Sequence, residues 1–74
     1  MNLCYKWHKE NGRYYQIYLL KDFFDTWMLT CSWGSLYSRL GNYKNFAFQS
    51  YEEALQMIED VKKKRNKRGY NLIL

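Results

Sequence analysis

Four short runs of alternating apolar and polar residues, a capping box ahead of one stretch of helical periodicity, and a glycine just past that stretch predict an α+β fold. The expected architecture is a small antiparallel β-sheet of four to five strands with one C-terminal α-helix packed across it. With 74 residues the chain has room for one domain, spanning 1–74, and for no second core. Eight tyrosines, four phenylalanines and three tryptophans offset the small size, since each ring buries about 150–250 Å². A stability of about 3–5 kcal/mol is expected.

The first strand is read from Leu3, Tyr5 and Trp7 alternating with Cys4, Lys6 and His8, up to an Asn11-Gly12 pair suited to a tight turn. A second strand follows from Arg13 to Leu20, with Tyr15, Ile17 and Leu19 on one face and Tyr14, Gln16 and Tyr18 on the other. Lys21 to Asp25 makes a loop bracketed by turn-forming aspartates around Phe23-Phe24. Thr26 to Trp33 resumes the alternation, Trp27, Leu29, Cys31 and Trp33 against Met28, Thr30 and Ser32, and ends in a bend at Trp33-Gly34. A long loop from Ser35 to Asn42 and a fourth strand from Tyr43 to Phe48 complete the expected sheet.

Ser50-Tyr51-Glu52-Glu53 is a capping box, in which the Ser50 hydroxyl accepts from the Glu53 N–H at the start of a helix. Ala54, Leu55, Ile58 and Val61, widened by Met57, form the stripe that packs on the sheet. Gly69 closes the helix from the left-handed position just beyond it, and Tyr70 to Leu74 is read as a short edge strand.

Twelve Lys and Arg against seven Asp and Glu give a net charge of +5, and half of the basic residues fall between Lys62 and Arg68. That asymmetry favours a polyanionic partner. Helix C-termini attract cations for their own sake, and Glu59 and Asp60 pair with Lys63 and Lys64 at i,i+4, yet two carboxylates and the helix dipole do not balance six cations. Trp33, by its companions Trp27, Leu29 and Cys31, reads as a core or sheet-face residue, and its place before a glycine as a rim residue able to stack. The candidate nucleic-acid contacts are Trp33 for stacking and Arg39, Lys62, Lys63 and Arg65 for phosphates.

Catalysis finds no support. His8 has no nucleophile or metal-ligand partner at motif spacing, Asp22 and Asp25 suit turns, and no glycine-rich phosphate loop is present. Cys4 and Cys31 lack the C-x-x-C spacing of a zinc or redox site and are expected as free thiols. A non-enzymatic chain without metal, cofactor or small-molecule substrate is expected. The amino terminus carries no basic segment before an apolar stretch, and no apolar run reaches membrane-spanning length, so a cytoplasmic location without a membrane partner follows.

Taken together, Arg13-Tyr14-Tyr15, Asp22-Phe23-Phe24 before Trp27, Trp33-Gly34, Ser38-Arg39-x-Gly41, Ser50-x-Glu52-Glu53-Ala54 and Lys67-Arg68-Gly69-Tyr70 resemble a WGR domain, over roughly Gly12 to Tyr70. The resemblance implies an antiparallel sheet crossed by one helix. It also implies the role that such domains have in poly(ADP-ribose) polymerases: binding DNA near a strand break, with the signature tryptophan against the sugar-phosphate end and the signature arginine linking to neighbouring domains. Trp33 takes the tryptophan's position. Ser35 stands where that arginine is expected, Tyr37 replaces a following glycine, and Asp25 stands where the aromatic loop often has glycine; Arg39 is the candidate substitute for the missing charge. No catalytic activity carries over, and the chain looks like the short stand-alone bacterial members.

DNA is thus the favoured partner. The alternative is a protein-interaction adaptor or accessory subunit docking through its aromatic-rich sheet and loops, since aromatic residues are enriched at interfaces. One exposed patch of Tyr14, Tyr18 and Trp33 away from the helix end would mark it.

Overall fold

In the computed structural model of the protein, which describes residues 2–38 and 41–73, the strands are β1 (Leu3–His8), β2 (Arg13–Lys21), β3 (Trp27–Ser35), β4 (Gly41–Phe48) and β5 (Asn71–Leu72), with helix α1 (Tyr51–Lys67) between β4 and β5. They form one antiparallel sheet in the order β4-β3-β2-β1-β5. Arg39 and Leu40 fall outside the described residues.

Several boundaries differ from the sequence expectation: β2 takes in Lys21, β3 starts at Trp27, β5 is confined to Asn71–Leu72, and two larger shifts bear on the groove. β3 runs through Gly34 to Ser35, and β4 starts at Gly41, not Tyr43. The reason is pairing on both sides: Gly34 lies between Tyr14 and Gly41 in the ladders, so Trp33-Gly34 is extended strand and not a bend. The chain leaves the sheet only after Ser35, whose partner is Arg13.

The turns follow local chemistry. Gly12 takes φ +85° and is covered by the Tyr37 ring, which a Cβ at this position would strike. Leu36 N–H donates to Gly12 O at 2.7 Å, tying the segment after β3 to the first hairpin turn. In the second hairpin the Asp22 carboxylate accepts from Phe24 N–H at 2.8 Å and Thr26 N–H at 3.0 Å. Asp25 has φ 60°, the left-handed conformation that glycine at this loop position would supply and that aspartate tolerates better than most residues.

The helix begins and ends as its sequence dictates. Ser50 Oγ accepts from Glu53 N–H at 3.2 Å. At the other end Gly69 takes φ +83°; its N–H donates to Asn66 O at 3.2 Å and Tyr70 N–H to Arg65 O at 3.0 Å, a Schellman motif. The core forms where Ala54, Ile58 and Val61 meet Trp7, Ile17, Leu19, Leu29 and Cys31. Trp27 and Tyr51, their rings 4.7 Å apart, close it near the helix N-terminus. Tyr14, Tyr18 and Tyr43 alternate onto the opposite sheet face, where Tyr43 is exposed.

Candidate functional site

Antiparallel register lines up Trp7, Tyr15, Trp33 and Asn42 as direct neighbours across β1 to β4. Trp7, Tyr15 and Trp33 share the helix-facing side with the core. Trp7 is buried, its ring edge-on to Tyr15 at 6.2 Å. Tyr15 and Trp33 stack at 6.0 Å with planes 13° apart.

Arg65 continues the helix's buried stripe, one position where an apolar residue is the rule. Its guanidinium lies 4.2 Å from the Tyr15 ring centroid and 5.3 Å from that of Tyr70, which the helix cap holds in place. The residue is only 8% exposed, its Nε has no hydrogen-bond partner, and no carboxylate pairs with it among the described residues. Arginine keeps its charge under all ordinary conditions. Ring faces attract it by about 0.5–2 kcal/mol, less than the several kcal/mol that desolvating a cation costs.

Beside Arg65 opens a groove of about 860 Å³ lined by the Tyr15, Trp33 and Tyr70 rings and by Arg13, Arg65 and Arg68, with no Asp or Glu among its lining residues. Arg13 sits on the strand directly opposite Ser35, and Arg68 is the exposed helix C-cap.

Of the residues expected from sequence, the fold brings Trp33 and Arg65 together at this groove. Lys62 lies elsewhere: its ammonium is 4.3 Å from the Tyr5 ring centroid and 3.4 Å from Glu59 Oε1. Burial there opposes its charge, but Tyr5 and Glu59 outweigh it and hold the pKa above the ordinary lysine value. Lys63 is exposed and borders a separate hollow with Asp60, Lys64 and Lys67. Arg39 lies outside the described residues. Arg13, Arg68, Tyr15 and Tyr70 were not among the candidates from sequence. Counting eleven positions, three helical turns, from Ala54 along the apolar stripe arrives at Arg65, and the stacked Tyr15 follows from the strand register.

The patch that would mark an adaptor does not form, because Trp33 faces the helix side while Tyr14 and Tyr18 face away from it. His8 pairs in the ladder with Tyr14 and Asn71, and no cluster of potential metal ligands occurs among the described residues. Cys4 and Cys31 are free thiols.

Burial raises the Tyr15 pKa to about 12, helped by its hydroxyl donating to the Cys31 sulfur and only partly opposed by Arg65. Burial also raises the Cys31 thiol, with Tyr15 and Arg65 pulling the other way. Both groups keep protons in the folded chain that the unfolded chain releases. Their contribution to stability is therefore intact below the ordinary values of 9.0 for the thiol and 10.0 for the phenol, and it fades as pH climbs toward about 12. Urea midpoints should be level through neutral pH and drop in that alkaline window. Tyr15→Phe should flatten the upper part of the drop; an identical profile in the variant would contradict the assignment.

A five-stranded antiparallel sheet crossed by a single helix, with an aromatic and arginine groove where the helix ends, defines a small α+β sheet-and-helix module. The sequence model of the WGR domain matches residues 3–73, and the chain belongs to the WGR domain family. Comparison with curated proteins and with solved structures yields no match. WGR domains are in general nucleic-acid-binding modules and not catalytic ones. No helix among the described residues is long and apolar enough to cross a membrane.

Proposed function

We propose that this chain is a non-catalytic DNA-binding module whose groove takes backbone phosphate at or near a strand end, with Trp33 packing on the terminal sugar or base. The carrying observation is Arg65: a buried, permanently charged guanidinium with an unpaired Nε, facing a groove that has two further arginines and no carboxylate. An anion in the groove would compensate the guanidinium charge. Arg13, across the ladder from Ser35, places a cation beside the position where the family pattern has its arginine. Lys62 and Lys63, on other sides of the helix, serve as outlying backbone contacts in this reading.

Fluorescence titration of nicked and blunt-ended duplexes at several salt concentrations tests the proposal. Three engaged arginines give a log–log salt slope of about −2.7, and each engaged helix lysine adds about −0.9. Trp33→Ala is expected to weaken binding roughly 10- to 100-fold, the value of a stacking contact. Absence of duplex binding by the wild-type chain even at low salt would sink the reading.

A further inference from the structure

At the end of the sheet far from the groove, the hairpin tip between β2 and β3 leaves Phe23 101% and Phe24 85% exposed. Two adjacent phenylalanines in water are costly, yet the loop that presents them is well fastened. The Asp22 carboxylate holds Phe24 N–H and Thr26 N–H, Asp22 N–H donates to Thr26 O at 2.9 Å, and Lys21 pairs with Asp25 at 3.3 Å. A tip fixed in this way binds without a large ordering cost.

The charge of the tip selects its partner. Two aspartates against one lysine disfavour a nucleic acid or an anionic membrane surface and favour a cationic groove with aromatic faces. The molecule carries at its other end a mainly polar groove in which the Tyr15 and Trp33 rings offer aromatic faces beside the cations Arg13 and Arg68. The tip of a chain cannot reach its own groove, since β2 from Arg13 to Lys21 holds the two about 26 Å apart.

We propose that the Phe23-Phe24 tip of one copy docks in the Trp33 and Arg65 groove of a second copy, so that the chain associates head to tail. The rings meet aromatic and guanidinium faces, and Asp22 and Asp25 come next to arginines. Such a contact is heterologous: it builds open chains or rings, not a closed symmetric pair. The contact area is small, so a dissociation constant of order 100 µM is expected. Duplex DNA competes for the same groove, but self-docking does not depend on the DNA reading being right.

Sedimentation velocity at low salt, from about 10 µM to about 1 mM chain, tests this. The wild type should form a concentration-dependent series beyond dimers. A tip variant, Phe23→Ser with Phe24→Ser, and a groove variant, Arg13→Glu with Arg68→Glu, should each remain monomeric with unchanged far-ultraviolet circular dichroism. Mixed in equal amounts they should form a one-to-one pair and nothing larger, because the mixture has one intact tip and one intact groove per pair. A monomeric wild type at the highest concentration overturns the proposal, as does a tip variant that self-associates like wild type or a mixture that stays monomeric. The tip variant should bind duplex as wild type does, so loss of DNA binding and loss of self-docking are read separately.

Discussion

Replacing Arg65 by methionine is expected to weaken duplex binding roughly 10- to 100-fold while leaving stability equal to or above that of the wild type. The first half follows from the value of a hydrogen bond between charged groups, about 1.5–3 kcal/mol. The second follows from the site's geometry. Arg65 is 8% exposed with Nε unpaired, and replacing even a buried ion pair by apolar side chains of similar volume is often neutral or stabilising by about 1–4 kcal/mol. Loss of the contacts to Tyr15 and Tyr70 offsets part of that gain. Arg65→Lys keeps the charge without the planar fork, and an intermediate loss of affinity is expected. Urea melts and duplex titrations on the same preparations decide the matter. A methionine variant that is less stable and binds normally would show Arg65 to be a packing residue.

Leu29→Ala should leave the chain largely unfolded at 37 °C. Leu29 is 0% exposed on β3, in register with Leu19 on one side and Phe46 on the other and packed in the cluster that includes Ala54 and Ile58. Truncating a buried leucine to alanine costs about 2–5 kcal/mol, against a total of about 3–5 kcal/mol for a core of this size. The variant's circular dichroism and thermal melt are the measurement. Leu36→Ala, at a residue 53% exposed, is the control and should shift stability by no more than about 0.5 kcal/mol. A Leu29→Ala melt that matches the control would mean that the core lies elsewhere.

Core and groove thus occupy different lengths of the same surfaces. The helix stripe begins with Ala54, Ile58 and Val61, which hold the fold together, and ends with Arg65, which holds no carboxylate among the described residues. The same side of the sheet changes character along its length in the same way, from Leu29 and Cys31 in the core to Trp33 at the groove.

Legible in the amino-acid sequence alone is whatever depends on residues a few positions apart. The capping box at Ser50 and Glu53, the left-handed Gly12 and Gly69, the turn at Asp22 and the alternation that put Trp33 on the side of Leu29 all rest on the short periods of strand and helix and on local hydrogen bonds. The resemblance to WGR domains rested on the same kind of local signal and identified the family correctly. The groove needed distances that no local pattern contains. Tyr15 and Trp33 are only half-buried, on the side of the sheet where α1 ends at Lys67. Arg13 is set beside Ser35, and Tyr15 beside Trp33, only through the register of strands joined by a distant hairpin. Lys62 and Lys63, adjacent to each other and close to Arg65 in sequence, part from it because consecutive helical residues turn about 100° around the axis. Chain-local chemistry thus specifies the elements and their faces, while the site arises where the ends of those elements meet in space.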